Sequence, residues 1–164
     1  MIKILPLNKN DATFIVDWNK GTTADFLVQW AGRGYEFPIT ELQIIRRIDE
    51  ESSSNYKLYK ILLDETIIGT IELMNIDEEK KRADFGRFLL NPSLVGNGYG
   101  TSALKEFVRK VFNEFEINVL GLTVFDFNKS ALRCYEKTGF KIINKQTRPN
   151  GWIAIRMEIT NSTE

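Results

Sequence analysis

The feature that most constrains this chain is a change of hydrophobic period. From Tyr56 to Leu90 apolar residues recur at every second position, so Tyr56 to Leu63, Ile67 to Ile76 and Arg82 to Leu90 read as three strands. Asp64-Glu65-Thr66 and the charged stretch Asp77 to Lys81 join them. Connections that short imply an antiparallel meander. Asn91-Pro92 then ends the run, a glycine-rich loop follows from Val95 to Gly100, and Leu104, Phe107, Val108, Val111 and Phe115 return at helical spacing. Ile117 to Phe125 reads as a strand and Asn128 to Thr138 as a helix closed by Gly139. Phe140 to Gln146 and Trp152 to Ile159 read as strands around an Asn150-Gly151 turn. The class implied is α+β, a mostly antiparallel central sheet with one strand–helix–strand crossover in its second half.

Ahead of the meander, Ile2 to Leu7 reads as a strand stopped near Pro6. Asn10-Asp11 is placed to cap a helix carrying Phe14, Ile15 and Trp18. Ala24 to Trp30 and Thr40 to Glu50 read as two more helices; in the second Thr40 caps, and Leu42, Ile45 and Ile48 form the apolar stripe. With no repeat and no linker longer than Ser52 to Asn55, we expect residues 1–164 to form a single domain.

Composition removes whole classes of chemistry. There is no histidine, so Ser-His-Asp and Cys-His nucleophilic systems and His-bearing metal sites are excluded. Cys134 is the single cysteine, which permits neither an internal disulfide nor a thiolate metal cage. We therefore expect no metal. The 22 Lys and Arg balance the 22 Asp and Glu, which argues against an electrostatic nucleic-acid or membrane-surface partner. Neither a signal-peptide pattern nor an apolar run of spanning length is present, and the expected setting is cytoplasmic.

Gly96, Gly98 and Gly100 lie between a strand and the first turn of a helix. Glycines there let backbone N–H groups converge and let a ligand come close, while the helix N-terminus adds partial positive charge. The pattern suits a phosphate; it also suits a loop that only needs a tight entry. Gly98-Tyr99-Gly100-Thr101-Ser102-Ala103 fits the dinucleotide fingerprint G-x-G-x-x-A, with Asp126 as the ribose acid. The long turn after Leu90, the preceding meander and the short remainder after Asp126 weigh against a doubly wound sheet.

The segment Leu90 to Gly100 resembles the pyrophosphate loop of the GCN5-related N-acetyltransferases (GNAT superfamily), whose pattern is Arg or Gln, two residues, Gly, one residue, Gly or Ala. Gly98 and Gly100 match and Gly96 is the common extra glycine, whereas Val95 stands where the family has Arg or Gln. Asn128-Lys129-Ser130-Ala131-Leu132-Arg133-Cys134-Tyr135, ending in Gly139-Phe140, is similar to the family's asparagine, alanine, tyrosine, glycine-phenylalanine segment. The likeness covers about residues 56 to 160. Gln29 to Gly32 and Phe37 to Thr40 look most like the RimJ/RimL-like branch.

The resemblance implies helices on both faces of the sheet and transfer of an acetyl group from acetyl-CoA, as co-substrate, to a primary amine on a small molecule or a protein N-terminus. It places the pantetheine arm along Phe88, Leu89 and Leu90 and the pyrophosphate on Val95, Gly96, Asn97, Gly98, Tyr99, Gly100 and Thr101. Asn128 would hold the cofactor arm, or simply cap its helix. Tyr135 is the expected general acid for the leaving thiolate; the helix alone would suggest packing, and its spacing from Asn128 favours the catalytic role. Glu72, mid-strand, is the expected general base, acting directly or through water, against an ordinary solvent-facing position; Asp84 is the reserve. Cys134 reads as a small core residue. Trp18, Phe26, Trp30, Tyr35 and Phe37 are core or acceptor-site wall. A non-catalytic acyl-CoA-binding sensor is the alternative. The chain is expected to be a monomer or a homodimer, with Trp152 to Ile159 as a strand that could pair across it.

Overall fold

A computed structural model describes residues 1–161. Seven strands form one sheet: β1 (Ile2–Pro6), β2 (Lys57–Leu63), β3 (Thr66–Asp77), β4 (Arg82–Leu90), β5 (Val119–Phe125), β6 (Lys141–Thr147) and β7 (Ile153–Thr160). The helices are α1 (Ala12–Asn19), α2 (Ala24–Ala31), α3 (Glu41–Asp49), α4 (Tyr99–Glu114) and α5 (Lys129–Thr138). The strand order is β1-β2-β3-β4-β5-β7-β6. The meander forms as expected, and every neighbouring pair is antiparallel except β4 and β5, which α4 joins by a parallel crossover.

Two cores result, one on each face. The larger packs Leu104, Phe107 and Val111 of α4 against Tyr59, Ile61, Leu73, Phe85 and Leu120 of the sheet. Phe107, fully buried, meets Tyr59 and Phe85 edge-on at centroid distances of 6.0 and 5.6 Å. The smaller core gathers Ile15, Trp18, Leu27 and Ile44 of α1 to α3 over Leu58, Ile67 and Leu89. The middle of β3, from Ile67 to Leu73, is buried on both faces, because it runs between two helix layers.

Three local expectations are corrected. In α3 the inward residue is Ile44, flanked by Ile45 and Ile48; Leu42 lies about 160° around the helix from Ile44 and is exposed. Asp11 does not cap α1, since its Oδ2 accepts from the Asn8 N–H at 2.8 Å and from Lys60 Nζ at 3.0 Å. And β7 cannot pair across a dimer: β5 and β6 already occupy both of its edges. Its apolar alternation comes from lying inside the sheet. β6, exposed along its whole length, is the edge on that side.

Candidate active site

The site begins where two strands part. β4 and β5 pair only from Arg82 to Asp84 against Val119 to Gly121, so beyond Asp84 they diverge. Phe85 to Leu90 on one side and Leu122, Thr123 and Val124 on the other wall a groove of about 710 Å³, within the usual range for a small-molecule site. Opposite Ile71 the β3–β4 register slips: Thr70 pairs with Leu89 and Glu72 with Gly86, so Arg87 and Phe88 share one partner position. A bulge of this kind leaves a backbone group out of the ladder.

At the far end of the groove, Gly98 caps α4 with φ 80° and ψ −1°, and Gly96 has φ 92°. A Cβ on either would meet nothing within 4 Å, so the space beside the loop is open to a ligand. No side chain caps α4, and the N–H groups of its first turn point outward without intrahelical partners. Uncapped amides and a helix dipole in this arrangement suit an anion and need no basic side chain. Val95 sits beside it, 55% exposed, and contributes no polar group.

Tyr135 and Asn128 both reach the groove from α5. Asn128 is the N-cap, its Oδ1 accepting from Ala131 N–H at 3.3 Å. Tyr135 packs edge-on against Phe85 and Phe140 at 5.8 and 6.2 Å, and burial pushes its phenol well above the ordinary value. Burial thus favours its neutral form. Cys134 is half-buried on the groove wall rather than in the core interior. Burial raises its thiol, opposed by a hydrogen bond involving Thr101, which disfavours a reactive thiolate.

The two expected bases are placed otherwise. Glu72 is 3% exposed and lies behind the groove, its carboxylate held by two arginines. Oε1 accepts from Nε and Nη2 of Arg47 at 3.0 and 2.7 Å, and Oε2 from Nη1 of Arg87 at 3.3 Å. It is not solvent-facing, and both of its oxygens are engaged by guanidinium groups. Asp84 accepts from Arg156 Nη2 at 2.6 Å and from Asn75 Nδ2 at 3.0 Å, and does not line the groove either. Among the described residues lining the groove there is no Asp or Glu; the charged ones are Arg87, Arg133 and Lys137.

Phe26, Gln29 and Trp30 of α2 form the wall beside β4. Trp18 is core, with Phe26, Trp30 and Tyr35 packed at its margin, and Phe37 is exposed. Sequence reasoning missed Arg47 and Arg87. Gly86 inside a strand was the available signal, since an internal strand glycine often marks a bulge. Among the described residues no group of three or more Cys, Asp or Glu is placed to hold a metal ion, and no helix is long and apolar enough to cross a membrane.

Residues 2–141 match the family model described as an acetyltransferase (GNAT) domain. Acetyltransferase PseH of Campylobacter jejuni subsp. jejuni serotype O:23/36 (strain 81-176) is 27% identical over 139 residues, covering 85% of this chain and 82% of that one. Among solved structures, spermidine N-acetyltransferase from Vibrio cholerae, with CoA and spermine, is similar with a TM-score of 0.83 at 17% identity, covering 98% of this chain and 96% of that one. Aminoglycoside acetyltransferase AAC(6')-Ib in complex with coenzyme A gives 0.77 at 22% identity, covering 98% and 95%. At those identities the two structures establish the fold alone.

Proposed function

The chain belongs to the acetyltransferase (GNAT) domain family, and from that premise we propose that it moves an acetyl group from acetyl-CoA to a single primary amine on a small, neutral or anionic acceptor. One observation carries the acceptor class: among the described residues no carboxylate lines the groove, so a polycation such as spermidine would meet no counter-ion there. Arg87 is already paired with Glu72, and Arg133 and Lys137 of α5 supply the positive charge of the lining. Phe26 and Trp30 offer apolar platforms for the acceptor's body, with Gln29 as the polar contact. The Gln29 to Gly32 and Phe37 to Thr40 segments support placing the chain in the RimJ/RimL-like branch.

Bound acetyl-CoA supplies the activated acyl group; the residues supply position and protons. The open amides from Tyr99 to Thr101 suit the pyrophosphate, and the edge of Phe88 to Leu90, freed by the splay, suits an extended arm that pairs as a strand would. The bulge at Arg87 and Phe88 offers a backbone N–H to the thioester oxygen as charge develops there. Tyr135 donates its hydroxyl proton toward the departing sulfur. With Glu72 and Asp84 both engaged, the amine loses its proton to water in the groove.

An alkylamine with a pKa of about 10 is only about one thousandth neutral at pH 7. Without a protein base, kcat/KM measured with such an alkylamine should rise about tenfold per pH unit until that amine's own pKa, and a plateau near neutrality with it would refute that route. The identifying experiment is a free-thiol assay over a panel of amines. Glucosamine and related mono-amines should turn over at least about tenfold more efficiently than spermidine or kanamycin, in line with about 1.4 kcal/mol of discrimination. A preference for the polycations would overturn the acceptor class. Silence across all amines, with acetyl-CoA still raising the melting temperature, would leave a non-catalytic acyl-CoA-binding module.

A further inference from the structure

Arg87 occupies the bulge of β4 with φ 48°, a left-handed conformation that is uncommon for a residue with a long side chain. Such an outlier persists only where its surroundings over-determine it, and here they do. Its Nε donates to the Ala31 carbonyl at 2.9 Å and its Nη2 to the Arg33 carbonyl at 2.8 Å. Nη1 pairs with Glu72 Oε2, and the guanidinium lies over the Tyr35 ring, 4.1 Å from its centroid. All three nitrogens are used and the side chain is 9% exposed. Glu72 is held in turn by Arg47 of α3, which stacks on Tyr56 at 3.4 Å and whose carbonyl accepts from the Tyr56 hydroxyl.

The two carbonyls that Arg87 holds belong to the last residue of α2 and the loop just after it. That helix carries Phe26, Gln29 and Trp30, the acceptor wall, while the backbone of Arg87 is the bulge beside the arm of the co-substrate. One residue thus joins both halves of the groove. Gly34 is part of the same fit, because a Cβ there would lie 2.7 Å from Arg87 Nη2.

We propose that Arg87 is a positioning residue that sets the acceptor wall in register with the β4 bulge, and that Glu72 serves as its buried counter-ion rather than as the general base. This rests on the acetyltransferase function above. A lysine at position 87 could not replace the planar fork that meets two carbonyls and a carboxylate together. Loss of the clip frees α2's C-terminal end, so the amine is held less well while the loop at Gly98, on the other side of β4, is untouched.

The test is steady-state kinetics of Arg87→Lys, Glu72→Gln and Gly34→Ala with glucosamine and acetyl-CoA, together with acetyl-CoA affinity by calorimetry and the pH profile. Gly34→Ala disturbs the clip without altering a buried charge, through its approach to Nη2 and its φ of 115°, and thermal unfolding of every variant shows that each change in KM is read on folded protein. The expected result is an amine KM raised about fivefold or more in all three, acetyl-CoA affinity within about twofold of wild type, and a pH profile of unchanged shape. The Arg87→Lys and Gly34→Ala effects should also be less than additive, since both act on one contact. If Glu72→Gln instead lowers kcat by about a hundredfold or more at unchanged amine KM and alters the pH profile, Glu72 is the base and the proposal fails. Unchanged amine KM in Gly34→Ala and Arg87→Lys also overturns it. Absence of thiol release from the wild-type protein with every amine removes the acetyltransferase function itself, and this inference with it.

Discussion

Gly98→Ala isolates what the pyrophosphate loop costs and what it does. Gly98 has φ 80°, and a Cβ built on it touches nothing within 4 Å, so the substitution adds no clash. Its whole effect is backbone strain, about 1–2 kcal/mol for an L-residue in the left-handed region. That energy can appear in two places. If the free protein keeps the loop as it is, stability falls by the full amount, a loss of roughly 2–8 °C in Tm for a domain of this size. If the free loop relaxes instead, stability is spared and the strain is restored when the amides of Tyr99, Gly100 and Thr101 must converge on the pyrophosphate. Acetyl-CoA affinity then drops about 5–30-fold. The two losses should sum to about 1–2 kcal/mol whichever way they divide. Calorimetric titration and thermal unfolding of the same samples measure both. Gly98→Asn should lose much less, because asparagine visits this conformation more readily. Binding of S-acetylpantetheine, which has no pyrophosphate, should be the same in Gly98→Ala as in wild type apart from any loss of folded protein. Equal losses for Ala and Asn, or no loss in either stability or affinity, would refute the assignment of the loop.

Two further outcomes follow from Tyr135 and its neighbours. Tyr135→Phe should lower kcat about 10²–10³-fold while leaving acetyl-CoA affinity nearly unchanged, as rapid-mix assays and calorimetry would show; retained turnover would remove Tyr135 as the acid. Burial raises the phenols of Tyr59 and Tyr135 and pushes Tyr35 up to about 12, with Arg87 pulling the last back down. A folded value above the unfolded one, about 10, means that the unfolded chain releases its protons first as pH rises. The stability these groups contribute is whole below about pH 10 and is lost as pH climbs through the folded values. Denaturant midpoints should therefore be flat with respect to these groups up to that point and then fall, with their tyrosinate absorbance appearing together with unfolding; early titration of Tyr35, Tyr59 and Tyr135 in the folded protein would contradict these shifts.

The order of elements was legible because it is local. Alternation from Tyr56 to Leu90, the glycine-rich loop, the stripe of Leu104, Phe107, Val108 and Val111, and the Asn128 cap with Gly139 at the other end each depend on residues within a few positions of one another. The same locality explains why two short segments were enough to propose roles for the loop and Tyr135. Leu42 misled because a nine-residue helix offers more than one apolar stripe, and only the sheet beneath it selects Ile44.

The sequence by itself determined the class, the crossover and the absence of histidine chemistry, since these follow from period, glycine placement and composition. Tertiary structure decided the rest of the site. The splay of β4 from β5, the interior position of β7 and the burial of Glu72 depend on which strands become neighbours. The pairing of Glu72 with Arg47, 25 residues away, depends on α3 packing over the sheet, and that with Arg87, 15 residues away, on the β3–β4 register and its bulge. A carboxylate alternating along a strand has the same local pattern whether it faces water, a substrate or two guanidinium groups. Its role is fixed only when the chain brings its partners to it.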